Sequence, residues 1–200
     1  MKKIFLISSI LSLFINFDAF SQHKEYEGNG DDIITLEKPN EGLPALLVVH
    51  GNRSERHFSI TGYDGNRIRT GLLVNTTDSY SGIVAVDLPP RTDTKLLEIS
   101  ASGTWLINVY SIGAAPKISV GEEFEDKGDN VLWIEGDASI ATVSGNSFQR
   151  HFSITAYDGS GNRSGLLVNT TDRYSGRVMV PNNTLLLEVN ATGDWKIKLE

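Results

Sequence analysis

A ten-residue segment occurs twice in this chain of 200 residues, as RHFSITGYDG at 56–65 and as RHFSITAYDG at 150–159. Around it, residues 56–86 align with 150–180 without a gap, and 23 of the 31 aligned positions are identical. Any fold for this chain must therefore accommodate two closely similar units. Identity is concentrated in this part of the copies, which is compatible with a shared functional surface or with uneven drift after duplication.

The repetition continues toward the ends of the copies, because LLEISASGTWLINV (96–109) corresponds to LLEVNATGDWKIKL (186–199). Each copy, at about 85 residues, is long enough for its own hydrophobic core. The predicted division of the chain is a leader at 1–21, a first module at 26–112, a linker at 113–119 with little structure of its own, and a second module at 120–200.

Short runs rich in Val, Ile, Thr and aromatic residues, most of them separated by turn-forming residues, make up the first copy. These runs are 33–37, 45–50, 57–63, 71–77, 82–88, 95–101 and 105–110. Their length and spacing are typical of antiparallel β-sandwiches, and no segment shows a helical period. We predict an all-β fold of two tandem antiparallel β-sandwich domains, immunoglobulin-like or jelly-roll-like.

Alternation of apolar and polar residues assigns the faces of the strands. Phe58 and Ile60 alternate with hydroxyl-bearing residues, and Trp195 alternates with the lysines of the last strand. We therefore predict that Phe58, Ile60, Trp105 and Trp195 lie in the cores.

The first 21 residues have the features of a secretory signal peptide. Two lysines precede a mostly apolar run at 4–17, and the small residues Ala19 and Ser21 precede the predicted cleavage point. The apolar run is shorter than the roughly 20 residues of a membrane span, although an uncleaved anchor is the alternative. We expect a bacterial protein that is secreted or periplasmic, without a membrane span after leader removal.

The composition limits the partners and the sources of stability. The formal net charge is −7, which disfavours nucleic acid and anionic membranes as partners. The chain has no cysteine, so disulfides cannot stabilise it.

The outward face of the duplicated strand is the first candidate binding site. Imidazole, hydroxyl and phenol groups alternate with the core residues and should point to solvent together, as a sugar-binding face would require. The predicted ligand-binding residues are His57, Ser59, Thr61, Tyr63, His151, Ser153, Thr155 and Tyr157. The alternatives are ordinary cross-strand pairing on a solvated sheet and an interface between the modules.

Acidic loops form the second candidate site, because calcium prefers carboxylate and carbonyl oxygens. The predicted calcium ligands are Asp31, Asp32, Asp64, Asp78, Asp129, Asp158 and Asp172. The alternative is turn chemistry, in which Asp bonds its own backbone. The spacing is neither that of an EF-hand nor that of a glycine-aspartate repeat.

Catalysis is not expected. A Ser59, His57 and Asp64 set exists on paper, but the chain has no Gly-x-Ser-x-Gly elbow and no HExxH motif. We therefore predict a non-enzymatic protein without catalytic residues.

The pattern GDD…RHFSITGYDGN…GLLVNTTD, followed by a Gly-x-Trp-x-hydrophobic strand, resembles a small β-sandwich module of secreted bacterial proteins. That last strand is also similar to the end of bacterial pre-peptidase C-terminal domains. These domains are non-catalytic accessory modules of secreted enzymes, so the resemblance implies accessory or binding work.

The predicted function is binding of a carbohydrate or a cell-surface protein through duplicated sites, since two tethered modules engage a repetitive ligand with high effective concentration. The alternative is a structural role in which the modules pack on each other or on neighbouring chains. Leu96, Leu106 and Leu186 lie opposite the predicted core face and favour that alternative.

Overall fold

The computed structural model describes residues 23–53, 55–88 and 92–200, and the predicted leader lies outside these ranges. The described residues form strands, turns and a short 3-10 helix, with no α-helix among them, so the all-β prediction is confirmed. No helix in the described part of the chain has the length and apolarity of a membrane span.

The described residues contain seventeen strands, and those of the second half repeat the succession of the first. The first half contains β1 (Lys24–Asn29), β2 (Asp32–Thr35), β3 (Ala45–Gly51), β4 (Phe58–Tyr63), β5 (Arg69–Thr76), β6 (Tyr80–Val86), β7 (Leu96–Ala101) and β8 (Thr104–Ser111). After the 3-10 helix (Ile112–Ala114), the second half contains β9 (Lys117–Ser119), β10 (Glu123–Lys127), β11 (Asn130–Glu135), β12 (Ile140–Gly145), β13 (Phe152–Asp158), β14 (Arg163–Thr170), β15 (Tyr174–Met179), β16 (Thr184–Ala191) and β17 (Asp194–Leu199).

The strands form four sheets, which we number I to IV. Sheet I has the order β1-β8-β3-β6 and sheet II the order β2-β7-β4-β5, both in the first half. Sheet III has the order β14-β13-β16-β11-β9 and sheet IV the order β10-β17-β12-β15. Apart from β9, each sheet of one half has a counterpart with equivalent strand order in the other half.

Alternating side chains place the sheets face to face. Leu47 and Val49 of β3 point into a cluster shared with sheet II, whereas Leu46, between them in sequence, points into a different cluster shared with sheet III. A third cluster lies between sheets III and IV and contains Trp195. The four sheets therefore stack in the order II, I, III, IV, with one hydrophobic cluster between each successive pair.

The middle cluster joins the two halves. Leu46 and Ala85 come from the outer face of sheet I, and Val131, Tyr157 and Leu186 come from the outer face of sheet III. All five side chains are buried. We call this contact between sheets I and III the seam.

The segment 113–119, predicted as a linker with little structure of its own, forms regular structure. Its first residues form the end of the 3-10 helix, and its last residues form β9, which pairs in parallel with β11. Ala115 joins the seam cluster and Ile118 joins the core of the second half, so both are buried. Burial of these two apolar side chains explains why Ala-Ala-Pro does not behave as a free linker here.

Two edge strands, β1 and β10, have no counterpart among the predicted strands. Both are mostly polar, and each directs one aromatic side chain, Tyr26 or Phe124, inward. Phe124 stacks on Trp195 with 5.9 Å between ring centroids. One inward residue is too weak a pattern for sequence detection. The inward positions of Phe58, Ile60, Trp105 and Trp195 are confirmed.

Candidate functional site

A groove of about 660 Å³ runs along one side of the seam. The first half contributes β5 and the loop after it, and the second half contributes the turn before β11, the start of β13 and the end of β16. Polar side chains from both halves line the groove, among them Asn75, Asp78, Asp126, Lys127, His151 and Asn190. The groove exists only because the two halves are packed together.

Hydrogen bonds across the seam hold the floor of the groove. The Tyr80 hydroxyl donates to Asp129 Oδ2 at 2.6 Å, and the backbone N–H of Ile83 donates to the Asp129 carbonyl at 2.9 Å. Asp129 Oδ1 accepts a further bond from the N–H of Ala191 at 2.9 Å. Asp129, in the turn before β11, therefore joins β6 of the first half to β16 of the second half.

Burial also governs the protonation of this pair. Desolvation raises the pKa of Tyr80 well above its ordinary value, and the neighbouring Asp129 raises it further. Desolvation likewise raises the pKa of Asp129, although its bonds from Tyr80 and Ala191 act in the opposite direction. The raised pKa of Tyr80 keeps its hydroxyl protonated near neutral pH, as a donor to Asp129.

Asn52 holds the first wall of the groove. It is buried, with a left-handed backbone φ of 56°, a conformation that asparagine adopts more readily than most residues. Its side-chain amide donates to the carbonyls of Arg56 and Asp78, and its oxygen accepts from the N–H of Arg56. The loop that carries Asp78 is thereby tied to the start of β4.

Asn146 holds the second wall in the same way, with a φ of 60°. Its amide donates to the carbonyls of Arg150 at 2.6 Å and Asp172 at 2.9 Å, and its oxygen accepts from the N–H of Arg150 at 2.9 Å. His151 is therefore held in the groove by its neighbour in sequence. The guanidinium of Arg150 also lies 3.8 Å from the Asp78 carboxylate on the opposite wall.

The candidate sugar-binding face has different environments in the two copies. In the first copy His57 is exposed, and Ser59, Thr61 and Tyr63 lie half-buried on the outer face of sheet II. The Tyr63 hydroxyl donates to Glu98 Oε2 at 2.6 Å, and this bond is the main reason that the pKa of Tyr63 is raised.

In the second copy, the expectation that the same face points to solvent does not hold beyond its first residue. His151 is exposed and lines the groove, but Ser153, Thr155 and Tyr157 are buried. Tyr157 belongs to the seam cluster, because sheet I covers this face of sheet III. Leu186, expected to be exposed, is buried there as well.

The predicted calcium ligands are not brought together. Within the ranges 23–53, 55–88 and 92–200, no group of three or more His, Asp or Glu side chains is placed to hold one metal ion. Asp64 and Asp158 each accept hydrogen bonds from two backbone N–H groups of their own turns at 2.8–2.9 Å. Asp31 accepts from the N–H of Ala101, as Asp129 does from Ala191. The carboxylates of Asp64 and Asp158 therefore serve their own turns, whereas Asp31 and Asp129 tie the turns that carry them to the ends of β7 and β16.

A narrower cleft of about 180 Å³ shares Leu72, Leu73 and Asn190 with the groove. Asp87 lies at this cleft, where its carboxylate accepts bonds from Thr94 and pairs with Lys38 Nζ at 2.6 Å. Both charged side chains are buried.

The groove residues Asp126 and Asn190 were not among the predicted site residues. Asn75 lies in the repeated GLLVNTTD segment, where it has the same chemistry as its counterpart Asn169 outside the groove. No local pattern could distinguish these positions, because residues distant in sequence form the groove.

Tyr157 and Glu188 form a second tyrosine–carboxylate pair at the seam, with 2.7 Å between the hydroxyl and Oε2. Desolvation raises the pKa of Glu188, its bond from Tyr157 lowers it, and the nearby charge of Asp129 raises it. A carboxyl group whose pKa is raised by folding stabilises the protein most when protonated, below the ordinary value of 4.5. That contribution is lost as the pH rises through the folded-state pKa.

We expect Glu188→Gln to raise the melting temperature at pH 7, because glutamine keeps an acceptor for Tyr157 without a buried charge. The gain should disappear below pH 4.5, where the parent glutamate is itself protonated. Thermal denaturation across this pH range measures both effects. Glu98→Gln, at the exposed counterpart position, is the control and should change little. A loss of stability at pH 7 in Glu188→Gln would contradict the prediction.

The architecture defines an all-β protein of four stacked sheets with a polar groove between its halves. No protein-family model matches the chain, and no curated protein matches it. Solved structures with weak similarity include the PBSX exported protein XepA, at 10% identity over 88% of this chain and 82% of that chain, with a TM-score of 0.25. A regulatory subunit of a cAMP-independent protein kinase A from Trypanosoma cruzi, bound to guanosine, is 9% identical over 88% of this chain and 72% of that chain, with a TM-score of 0.26.

Likenesses at this level carry no argument about this chain. Neither structure is named as a pre-peptidase C-terminal domain, so that resemblance stays a prediction.

Proposed function

We propose that this protein is a secreted or periplasmic, non-catalytic binding protein made of two tandem β-sandwich modules. The modules are stacked through the seam, and an extended carbohydrate binds in the groove between them. The observation that carries the proposal is the groove itself, which combines hydrogen-bonding side chains from both copies.

The chemistry of the groove suits a polyhydroxylated ligand. Asn75 and Asn190 present both donors and acceptors, Asp78 presents acceptors, and His151 presents one of each when neutral. Asn75 and His151 are exposed, so their polar atoms are accessible to a ligand. A volume of about 660 Å³ is within the usual range of small-molecule sites, and an open groove accommodates a chain that continues beyond it.

The carboxylate considered for catalysis is engaged by the backbone of its own turn. Asp64, the acid of the Ser59, His57 and Asp64 set, has its Oδ1 engaged by the N–H groups of Asn66 and Ile68, both at 2.8 Å. That carboxylate is oriented toward its own turn. A non-catalytic role also agrees with what the resemblance to accessory modules implies.

The test is a glycan array probed with residues 22–200 and with the double variant Asn75→Ala/His151→Ala. We expect the variant to lose roughly 5- to 150-fold in affinity, because each of the two lost hydrogen bonds contributes roughly 0.5–1.5 kcal/mol. The matched control is Asn169→Ala/His57→Ala, which changes the counterpart residues outside the groove.

Equal loss in both double variants, or no glycan bound by the parent, would refute a carbohydrate site in the groove. Repeating the array in chelator tests the calcium prediction. Loss of binding in chelator alone would indicate that a metal ion participates.

A further inference from the structure

We propose that copies of this chain bind one another end to end, by using the contact of the seam a second time between molecules. Gly30 and Asp31 of one copy would dock on the β15 edge, Tyr174 to Arg177, of the next. The repeat supplies the template, because the same contact exists within each chain between the corresponding residues of opposite halves.

The contact within the chain joins an edge strand to a Gly-Asp turn. β6 is the last strand of sheet I, and it receives Asp129 through the Tyr80 hydroxyl at 2.6 Å and the Ile83 N–H at 2.9 Å. Gly82 lies between them, and a Cβ there would be 3.1 Å from the Asp129 carbonyl oxygen. This distance is tighter than most Cβ contacts, so glycine favours the close approach.

The second half carries an equivalent edge. β15 is the last strand of sheet IV, and Tyr174, Ser175 and Gly176 repeat the YSG of β6. The tyrosine packs on a phenylalanine in both halves, with ring centroids 6.3 Å apart at Tyr80 and 6.4 Å apart at Tyr174. Each tyrosine hydroxyl lies 3.0 Å from the position that a Cβ would take on the following glycine, Gly82 or Gly176.

The two edge strands, β6 and β15, also pair with their neighbouring strands in the same register. Ile83 lies opposite Val48, and Arg177 lies opposite Thr142, the equivalent position of the partner strand. The N–H of Arg177 therefore has the same orientation along its edge as the N–H of Ile83. Gly82 is buried by the second half, whereas Gly176 is not buried in the chain.

The first half carries an equivalent Gly-Asp turn. Gly30 has a φ of 84° and Gly128 a φ of 83°. Asp31 Oδ1 accepts from the N–H of Ala101 at 2.8 Å, matching the 2.9 Å bond of Asp129. A tryptophan Nε1 donates to the glycine carbonyl in both halves, at 3.0 Å and 2.8 Å. The turn is therefore already in the docking conformation, and Asp31 is exposed.

Two apolar residues of the outer sheets are exposed, although the corresponding residues of the other half are buried in the seam. Ile33 is 65% exposed, although its counterpart Val131 in the seam is 0% exposed. Met179 is 83% exposed, although its counterpart Ala85 is 8% exposed. Ile33 belongs to sheet II and Met179 to sheet IV, the two outer sheets of the stack.

The charges at the two ends are complementary. Arg177 stands on the β15 edge where the seam has Ile83, and its guanidinium pairs with Glu200 within the chain at 2.6 Å. Asp32 follows Asp31 at the position where the seam has Asn130. Opposite charges at the two ends favour contact between unlike ends over contact between like ends. Such a heterologous contact generates a series of copies rather than a two-fold dimer.

Sedimentation velocity over a range of concentrations provides the first test. We expect the parent to form dimers and longer species as concentration rises. Tyr174→Phe should need about tenfold higher concentration, because it removes a bond to a charged group but keeps the ring on Phe152. Tyr26→Phe, on the β1 edge, is the control and should assemble like the parent. A parent that stays monomeric, or a Tyr174→Phe variant that assembles equally well, overturns the proposal.

Single cysteines provide the second test, since the natural chain has none. Mixing Ile33→Cys with Met179→Cys under oxidising conditions should give disulfide-linked dimers that contain one chain of each. Leu43→Cys, an exposed residue in the loop between β2 and β3, is the control partner and should crosslink far less. If Ile33→Cys chains crosslink chiefly with one another, like ends meet, and this result also overturns the proposal.

Discussion

Replacing Lys38 with methionine is expected to destabilise the first half by roughly 3–5 kcal/mol, because it leaves a buried carboxylate without its counter-charge. The side chains of Lys38 and Asp87 are 2% and 3% exposed, and Nζ lies 2.6 Å from Oδ2. Asp87 cannot turn toward solvent easily, since its carboxylate also accepts bonds from the N–H and the hydroxyl of Thr94. Urea denaturation followed by tryptophan fluorescence measures the loss.

The control for this prediction is Lys24→Met, which removes an exposed ion pair with Glu37 at 2.9 Å. Exposed pairs contribute only about 0–1 kcal/mol, so this variant should remain close to the parent. A second variant, Lys38→Met/Asp87→Asn, removes both charges but keeps an acceptor for Thr94, and it should recover part of the loss. Equal destabilisation by Lys38→Met and Lys24→Met would contradict the prediction.

The second large effect is expected at Asn146, where alanine should cost roughly 3 kcal/mol. The substitution removes three hydrogen bonds, to Arg150 and Asp172, and places alanine at a φ of 60°, a left-handed conformation that asparagine adopts more readily. The segment that carries His151 would lose its anchor, so affinity for a ligand in the groove should fall together with stability.

Asn183→Ala separates the two contributions to this effect. Asn183 has a similar φ of 62° but is exposed, so its replacement reports the backbone strain without the loss of a buried network. We expect a cost of about 1 kcal/mol or less at this position. If Asn183→Ala and Asn146→Ala lose equal stability, the hydrogen bonds of Asn146 are not what holds the loop.

Much of the fold was predictable from local pattern. The seven strands predicted for the first copy all overlap observed strands, because alternation of Phe58 and Ile60 with polar residues records which face is buried. The burial of both repeated tryptophans followed from the same alternation. The edge strand β10 was not predictable in this way, since Phe124 is its one residue packed against the core.

The candidate site was predictable only in part. His151 was identified from the repeated strand, and it does line the groove. Asp126 and Asn190 were not identified, because they line a groove with residues of the first half only after two distant segments are packed together.

The sequence by itself determined the repeated strands and the core face of each, since the alternation that records them depends on residues that are neighbours along the chain. It could not determine which copy of an identical strand is covered. Thr61 and Thr155 occupy the same place in the same motif, yet one is half-buried on an outer sheet and the other is buried against sheet I. Only the tertiary structure decided this, because burial there depends on the packing of Leu46 and Ala85 from the other half.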